Sequence, residues 1–224
     1  MMNILSVVVL FLALLAAVTP AQGLQVREMA PDFTADVLFA NSSFGRVTLS
    51  QYRTKSWVLL FFYPLDFTFV CTTEILEFNR LMPEFALTET EVLGISVDSV
   101  YTHLAWTKTD KSLGGIGKLS FALVSDLSRA ISRAYDVYLY NGPDEGVSLR
   151  ATVLVDPKGV VRHMQVNDLP VGRNVAELLR LVQAFQFADR NGQVCPSKWQ
   201  PGGKTIIPDP EGARTFFAAD DSQK

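Results

Sequence analysis

Trp57-Val58-Leu59-Leu60-Phe61-Phe62-Tyr63-Pro64-Leu65-Asp66-Phe67-Thr68-Phe69-Val70-Cys71-Thr72-Thr73-Glu74 is the stretch that decides the fold. Residues 57–63 are an uninterrupted apolar run stopped by Pro64, the pattern of a strand buried on both faces. Beyond it Ile75, Phe78, Leu81, Met82 and Phe85 recur at helical spacing, so a helix follows directly on Cys71.

Working outward, Val92–Val97 and Phe121–Val124 read as strands, and Thr102–Lys111 and Leu127–Tyr135 as helices. Thr152–Val155 and Val160–Val166 flank Asp156-Pro157-Lys158-Gly159, a turn whose proline and glycine suit a hairpin. Asn174–Ala188 carries Val175, Leu178, Leu179, Val182 and Phe185 on one face, a last amphipathic helix. Strands alternating with helices, then a hairpin and a helix, predict an α/β fold with a mixed central sheet flanked by helices. The expected organisation is a leader at 1–23, one domain at 24–190, and an extended C-terminal arm at 191–224. That arm is rich in Gly, Pro and polar residues, which predicts a docked segment without a core of its own and an accessible, mobile Cys195.

The chain has 224 residues, 48% hydrophobic and 19% charged, enough for one substantial core. A formal charge of −3, with basic residues scattered rather than clustered, excludes the electrostatic footprint of nucleic-acid binding. Residues 4–18 form one apolar block, shorter than the roughly 20 residues needed to span a bilayer. Thr19-Pro20-Ala21-Gln22-Gly23 supplies small residues suited to signal-peptidase cleavage. We read a cleaved secretory signal and no stable membrane association afterwards, in the endoplasmic reticulum lumen or secreted. An uncleaved anchor and a buried N-terminal helix are the alternatives. In that compartment disulfides are permitted, and Asn41-Ser42-Ser43 becomes a candidate glycosylation acceptor.

Cys71 and Cys195 are the only cysteines. A helix N-terminus points unpaired N–H groups and the positive end of its dipole at a sulfur placed there, favouring the reactive thiolate. Thr68 stands three residues earlier, so Thr-x-x-Cys is a Cys-x-x-Cys redox site with one thiol replaced by a hydroxyl. It cannot close a local disulfide; an oxidised Cys71 must wait as sulfenic acid for a distant thiol or an external reductant. Taken alone, a single cysteine reads more readily as a small buried hydrophobe. Its surroundings reverse that reading. His103 reads as helix surface and His163 as a strand face, and two cysteines with two histidines offer no metal cluster.

The segment 62–71 resembles the active-site signature of typical 2-Cys peroxiredoxins. So do Gly114-Gly115-Ile116-Gly117, Glu145-Gly146-Val147-Ser148-Leu149-Arg150, Asn167-Asp168-Leu169-Pro170-Val171-Gly172-Arg173 and Val194-Cys195-Pro196. The resemblance runs from about residue 25 to 217. It implies a thioredoxin-like fold and reduction of hydroperoxides, with no cofactor or metal. Cys71 matches the peroxidatic cysteine, and Cys195 the resolving cysteine that condenses with the sulfenic acid of a partner subunit. Thr68 and Arg150 match residues that hydrogen-bond thiolate and peroxide, Pro64 the proline that shapes the pocket, and Glu74 the acid that orients the arginine. The implied partners are a second copy in a homodimer, a decameric ring of such dimers, and a thioredoxin-like or protein disulfide isomerase reductant. An oligomeric holdase chaperone and a redox relay are the competing functions.

The chain departs from the family pattern at Thr72, where proline normally follows the peroxidatic cysteine. Asn141-Gly142-Pro143 enlarges the loop before the Arg150 strand, Ala151 replaces a usual glycine, and Phe216-Phe217 stands where Tyr-Phe is common on a C-terminal helix.

Overall fold

A computed structural model describes residues 23–221. The leader predicted at 1–23 therefore lies almost wholly outside the described residues. The apolar run forms β3 (Trp57–Phe62), every residue of it buried. Its neighbours in a seven-stranded sheet are β4 (Thr90–Ser96), parallel to it, and β6 (Arg150–Val155), antiparallel. β5 (Ala122–Ser125) continues the parallel half, and β7 (Val161–Asn167) completes the predicted hairpin with β6. β1 (Thr34–Leu38) and β2 (Phe44–Thr48), short strands with solvent-facing polar positions, extend the sheet past β5. The order is β2-β1-β5-β4-β3-β6-β7, a mixed sheet of thioredoxin-like type.

Successive side chains of a strand point to opposite faces, so β3 feeds two cores at once. Leu59 and Phe61, with Tyr63 just beyond the strand, pack with Ile75 and Phe78 of α1 (Phe69–Arg80) and with Leu178 and Val182 of α5 (Val175–Asn191). Val58, Leu60 and Phe62 pack with Ile95, Val124, Val153 and Tyr135 on the other face. Burying a side chain of this size contributes about 1.5–3 kcal/mol, so β3 anchors both cores.

Several boundaries differ from the sequence reading. The single helix expected from Cys71 to Phe85 is two: α1 ends at Arg80, and α2 (Met82–Leu87) restarts with Pro83 in its first turn. Proline lacks the N–H that would have continued α1, and it is tolerated at a helix start. α3 (Val100–Lys108) begins two residues before the expected Thr102 because Ser99 accepts the Thr102 N–H as its cap. The helix expected at 127–135 shrinks to α4 (Ala130–Ala134), preceded by Arg129 at φ 62°. The arm is not simply extended, since α6 (Pro210–Asp221) closes it, with Asp209 Oδ1 accepting the N–H groups of Glu211 and Gly212. Among the described residues no helix is long and apolar enough to cross a membrane.

Candidate active site around Cys71

Pro64 is buried at the end of β3 and turns the chain into a loop that Asp66 holds. The Asp66 N–H donates to Asp98 at 2.9 Å, and its carboxylate accepts the Tyr63 hydroxyl at 2.8 Å. His103 Nδ1 lies 2.7 Å from the other carboxylate oxygen. His103 is thus fully buried, not on the helix surface as its polarity implied. Burial pushes the Asp66 carboxyl up, with His103 pulling the other way. These contacts fix a loop in which Phe67 takes φ 56°, a conformation that costs a non-glycine residue about 1–2 kcal/mol. The loop delivers Thr68 as the N-cap of α1 and Cys71 as its third residue, fully buried.

Arg150, the first residue of β6, reaches the sulfur. Its Nη1 lies 3.2 Å from Cys71 Sγ and 3.0 Å from Glu74 Oε2, while its Nε donates to the Leu169 carbonyl at 2.6 Å. Glu74 is one turn beyond Cys71 and is gripped from the other side by Arg173. The Arg173 Nε and backbone N–H both donate to Glu74 Oε1 at 2.8 Å, and Nη2 donates to Oε2 at 2.9 Å. Burial alone would raise the Glu74 carboxyl, but the hydrogen bonds and charge of Arg173, aided by Arg150, bring it below the usual glutamate range. Two guanidinium groups against one carboxylate leave a net positive charge beside the sulfur, and the α1 N-terminus adds to it.

Arg173 is the functional residue that reading the sequence missed. Its Nη1 also donates to the carbonyls of Phe62 at 2.8 Å and Ala151 at 2.6 Å, so it ties β3, β6 and α1 together. Gly172 beside it explains the close approach, since a Cβ there would lie 3.2 Å from Val70 Cγ1. Breaking a buried ion pair by removing one partner costs about 3–5 kcal/mol. Arg173→Met is expected to lose roughly that much in urea unfolding, more than any exposed arginine. Because the Glu74 carboxyl is depressed in the folded state, its contribution is present above the unfolded-state value and is lost as pH falls through the folded one. The wild type's margin over Arg173→Met therefore narrows on acidification.

Thr68 lies at the N-terminus of α1, three residues before Cys71. Its hydroxyl donates to the Leu65 carbonyl at 2.8 Å and makes no bond to Cys71. Its oxygen keeps lone pairs that can accept a further hydrogen bond while that donation stands. The Thr72 hydroxyl in turn donates to the Thr68 carbonyl at 2.6 Å, a contact that proline could not make. Cys195 is half-buried, on a segment docked against α5. Val194 pairs with Ile206, Cys195 Sγ lies 3.6 Å from the Ala184 carbonyl, and Trp199 packs on Phe187 with its own carbonyl accepting from Arg180 at 2.8 Å. Burial pushes the Cys195 thiol up, and Arg180 offsets part of that rise. Both cysteines are free thiols. Among the described residues no His, Cys, Asp and Glu group converges to hold a metal. A cleft of about 700 Å3 between Tyr101 and Tyr135 does not include Cys71.

A buried thiol at a helix N-terminus, held by a guanidinium that has a carboxylate behind it, is equipped to attack a small electrophile and to stabilise negative charge leaving it. Comparison with known proteins agrees. The family model described as AhpC/TSA matches residues 26–164, and one described as the C-terminal domain of 1-Cys peroxiredoxin matches residues 184–217. A chloroplastic 2-cysteine peroxiredoxin of Chattonella marina var. antiqua is 49% identical, over 88% of this chain and 98% of its own. A mitochondrial thioredoxin-dependent peroxide reductase of Drosophila melanogaster is 47% identical, over 92% of this chain and 86% of its own. The solved structure of reduced Plasmodium vivax 2-Cys peroxiredoxin is 46% identical and superposes with a TM-score of 0.82, covering 86% of this chain and 98% of that one.

Proposed function

The chain is a typical 2-Cys peroxiredoxin of the AhpC/TSA family, an enzyme that reduces peroxides at the expense of thiols, and we propose that it works through a Cys71 sulfenic acid and a disulfide to Cys195 of the partner subunit. The observation that carries the proposal is the Arg150 guanidinium at 3.2 Å from Cys71 Sγ, with Glu74 and Arg173 locking it there.

In the first step the Cys71 thiolate attacks the terminal peroxide oxygen. An S–O bond forms as the O–O bond breaks, and the departing oxygen leaves as water or alcohol once it gains a proton. The Arg150 fork can follow the charge from sulfur to the leaving oxygen without moving far. In the second step the Cys195 thiol of the partner displaces the sulfenic oxygen as water, forming the S–S bond. Cys195 must first leave the Ala184 carbonyl and the Trp199 dock, and in doing so it escapes the burial that disfavours its thiolate. A dithiol protein of thioredoxin type, or a protein disulfide isomerase in a secretory compartment, then returns two electrons through disulfide exchange. Homodimers of this kind would assemble further into a ring. The apolar block at 4–18 and the small residues after it support residence in the secretory pathway.

The test is a non-reducing gel of peroxide-treated protein. Wild type is expected to run as a covalent dimer, and Cys195→Ser as a monomer after one turnover. A dimer band that survives Cys195→Ser, or wild type that bridges only within one chain, would overturn the intersubunit step.

A further inference from the structure

The hairpin joining β1 to β2 takes no part in peroxide chemistry. Phe39 and Ser43 close it: the Phe39 N–H donates to the Ser43 carbonyl at 2.9 Å, and the Ser42 N–H to the Phe39 carbonyl at 2.8 Å. Ser42 takes φ 65°. This is a three-residue loop, Ala40-Asn41-Ser42, whose last residue is left-handed, the usual way a type I turn is fitted to a hairpin. Asn41, Ser42 and Ser43 are exposed and form the only Asn-x-Ser/Thr in the sequence.

The Asn41 side chain is held in a defined pose. Its Oδ1 accepts the Ser43 N–H at 3.0 Å and the Ser43 hydroxyl at 2.6 Å. Its Nδ2 makes no hydrogen bond among the described residues. Directly opposed residues of a hairpin share a face, so Ser43 and Phe39 lie on the same side. The hydroxyl contact brings the Asn41 amide to that side too. The Phe39 ring lies against the strand at Gly45, where a Cβ would sit 2.6 Å from Cε2. The absence of a side chain at Gly45 is what lets the half-buried ring lie so close to the partner strand, beneath the turn.

We infer that Asn41 is an N-glycan acceptor and that the Phe39 ring is the platform for its first sugar. The inference rests on the secretory-pathway reading, because only there does the chain meet a lipid-diphosphate-linked oligosaccharide. In the transfer, Asn41 Nδ2 bonds to C1 of the sugar as the bond from C1 to the diphosphate oxygen breaks, and the amide gives up one proton. The first N-acetylhexosamine presents an apolar C–H face that an aromatic ring covers, while its polar groups stay in water. A turn that sets an aromatic, an acceptor amide and a hydroxyl on one side thus favours both modification and a gain in stability from it.

The full chain is translated with microsomes, once with its own leader and once with residues 24–224 behind an established cleavable signal. With either leader, translocated protein is expected to gain mass that peptide:N-glycosidase removes, and Asn41→Gln to gain none. Glycosylated protein should also melt a few degrees above the same protein after deglycosylation, a difference expected to vanish in Phe39→Ala. Failure to translocate with the native leader alone would sink the secretory reading. Translocation behind the substitute signal without modification at Asn41 would overturn the acceptor assignment, and an undiminished melting difference in Phe39→Ala would overturn the platform.

Discussion

Cys71→Ser is expected to abolish peroxide consumption, by roughly 10^4-fold or more, the scale on which removing a covalent nucleophile acts. A serine hydroxyl at the same position is protonated at neutral pH and is a poor nucleophile toward peroxide oxygen, so none of the surrounding charge can rescue it. The fold should survive the change. Serine is close in size to cysteine, and Arg150 Nη1, now 3.2 Å from the sulfur, can donate to its oxygen, so no buried hydroxyl is left unsatisfied. Circular dichroism and a peroxide-consumption assay with excess dithiol check both halves. Retained turnover would mean that the nucleophile is elsewhere.

Arg150→Met is the second large effect, expected to lower the second-order rate constant with hydrogen peroxide by about 10^2–10^3-fold. Methionine fills comparable space but offers no donor to Cys71 Sγ, and it leaves the Leu169 carbonyl unpaired. Glu74 would remain ionised because Arg173 still binds both of its oxygens. The local charge beside the sulfur therefore falls from net positive to neutral, and the thiolate loses its stabilising neighbour. Arg150→Lys restores charge but not the fork that touches sulfur, carboxylate and carbonyl together, so it should recover only part of the rate. Stopped-flow rates across pH distinguish the two. If Arg150→Met reacts within a few-fold of wild type, the guanidinium positions the loop without acting on the reaction.

The sequence announced what is local. The run 57–63 read as a doubly buried strand because its apolar residues are consecutive, and the 156–159 turn read as a hairpin because proline and glycine punctuate it. Cys71 and Glu74 belong to one turn of one helix, so their proximity was visible in spacing. Arg173 was not, because it meets Glu74 from 99 positions away and is held by carbonyls of Phe62 and Ala151 that only the folded sheet brings together. His103 was misread for a similar reason. A polar residue on a short helix looks solvated until Asp66, 37 residues earlier in the chain, closes over it. Pro83 could have revealed the break between α1 and α2, but the apolar spacing across it stayed helical and masked the interruption. β1 and β2 carry too many exposed polar positions to stand out as strands, and they are recognisable only through their pairing with each other and with β5.

The most direct measurement of the central claim is to treat Cys195→Ser with one equivalent of hydrogen peroxide, trap sulfenic acid with a carbon nucleophile such as dimedone, and locate the adduct by peptide mass spectrometry. An adduct on Cys71, in near-stoichiometric yield and strongly reduced in Arg150→Met at the same short reaction time, is the predicted result. No adduct on Cys71, with peroxide still consumed, would contradict the account.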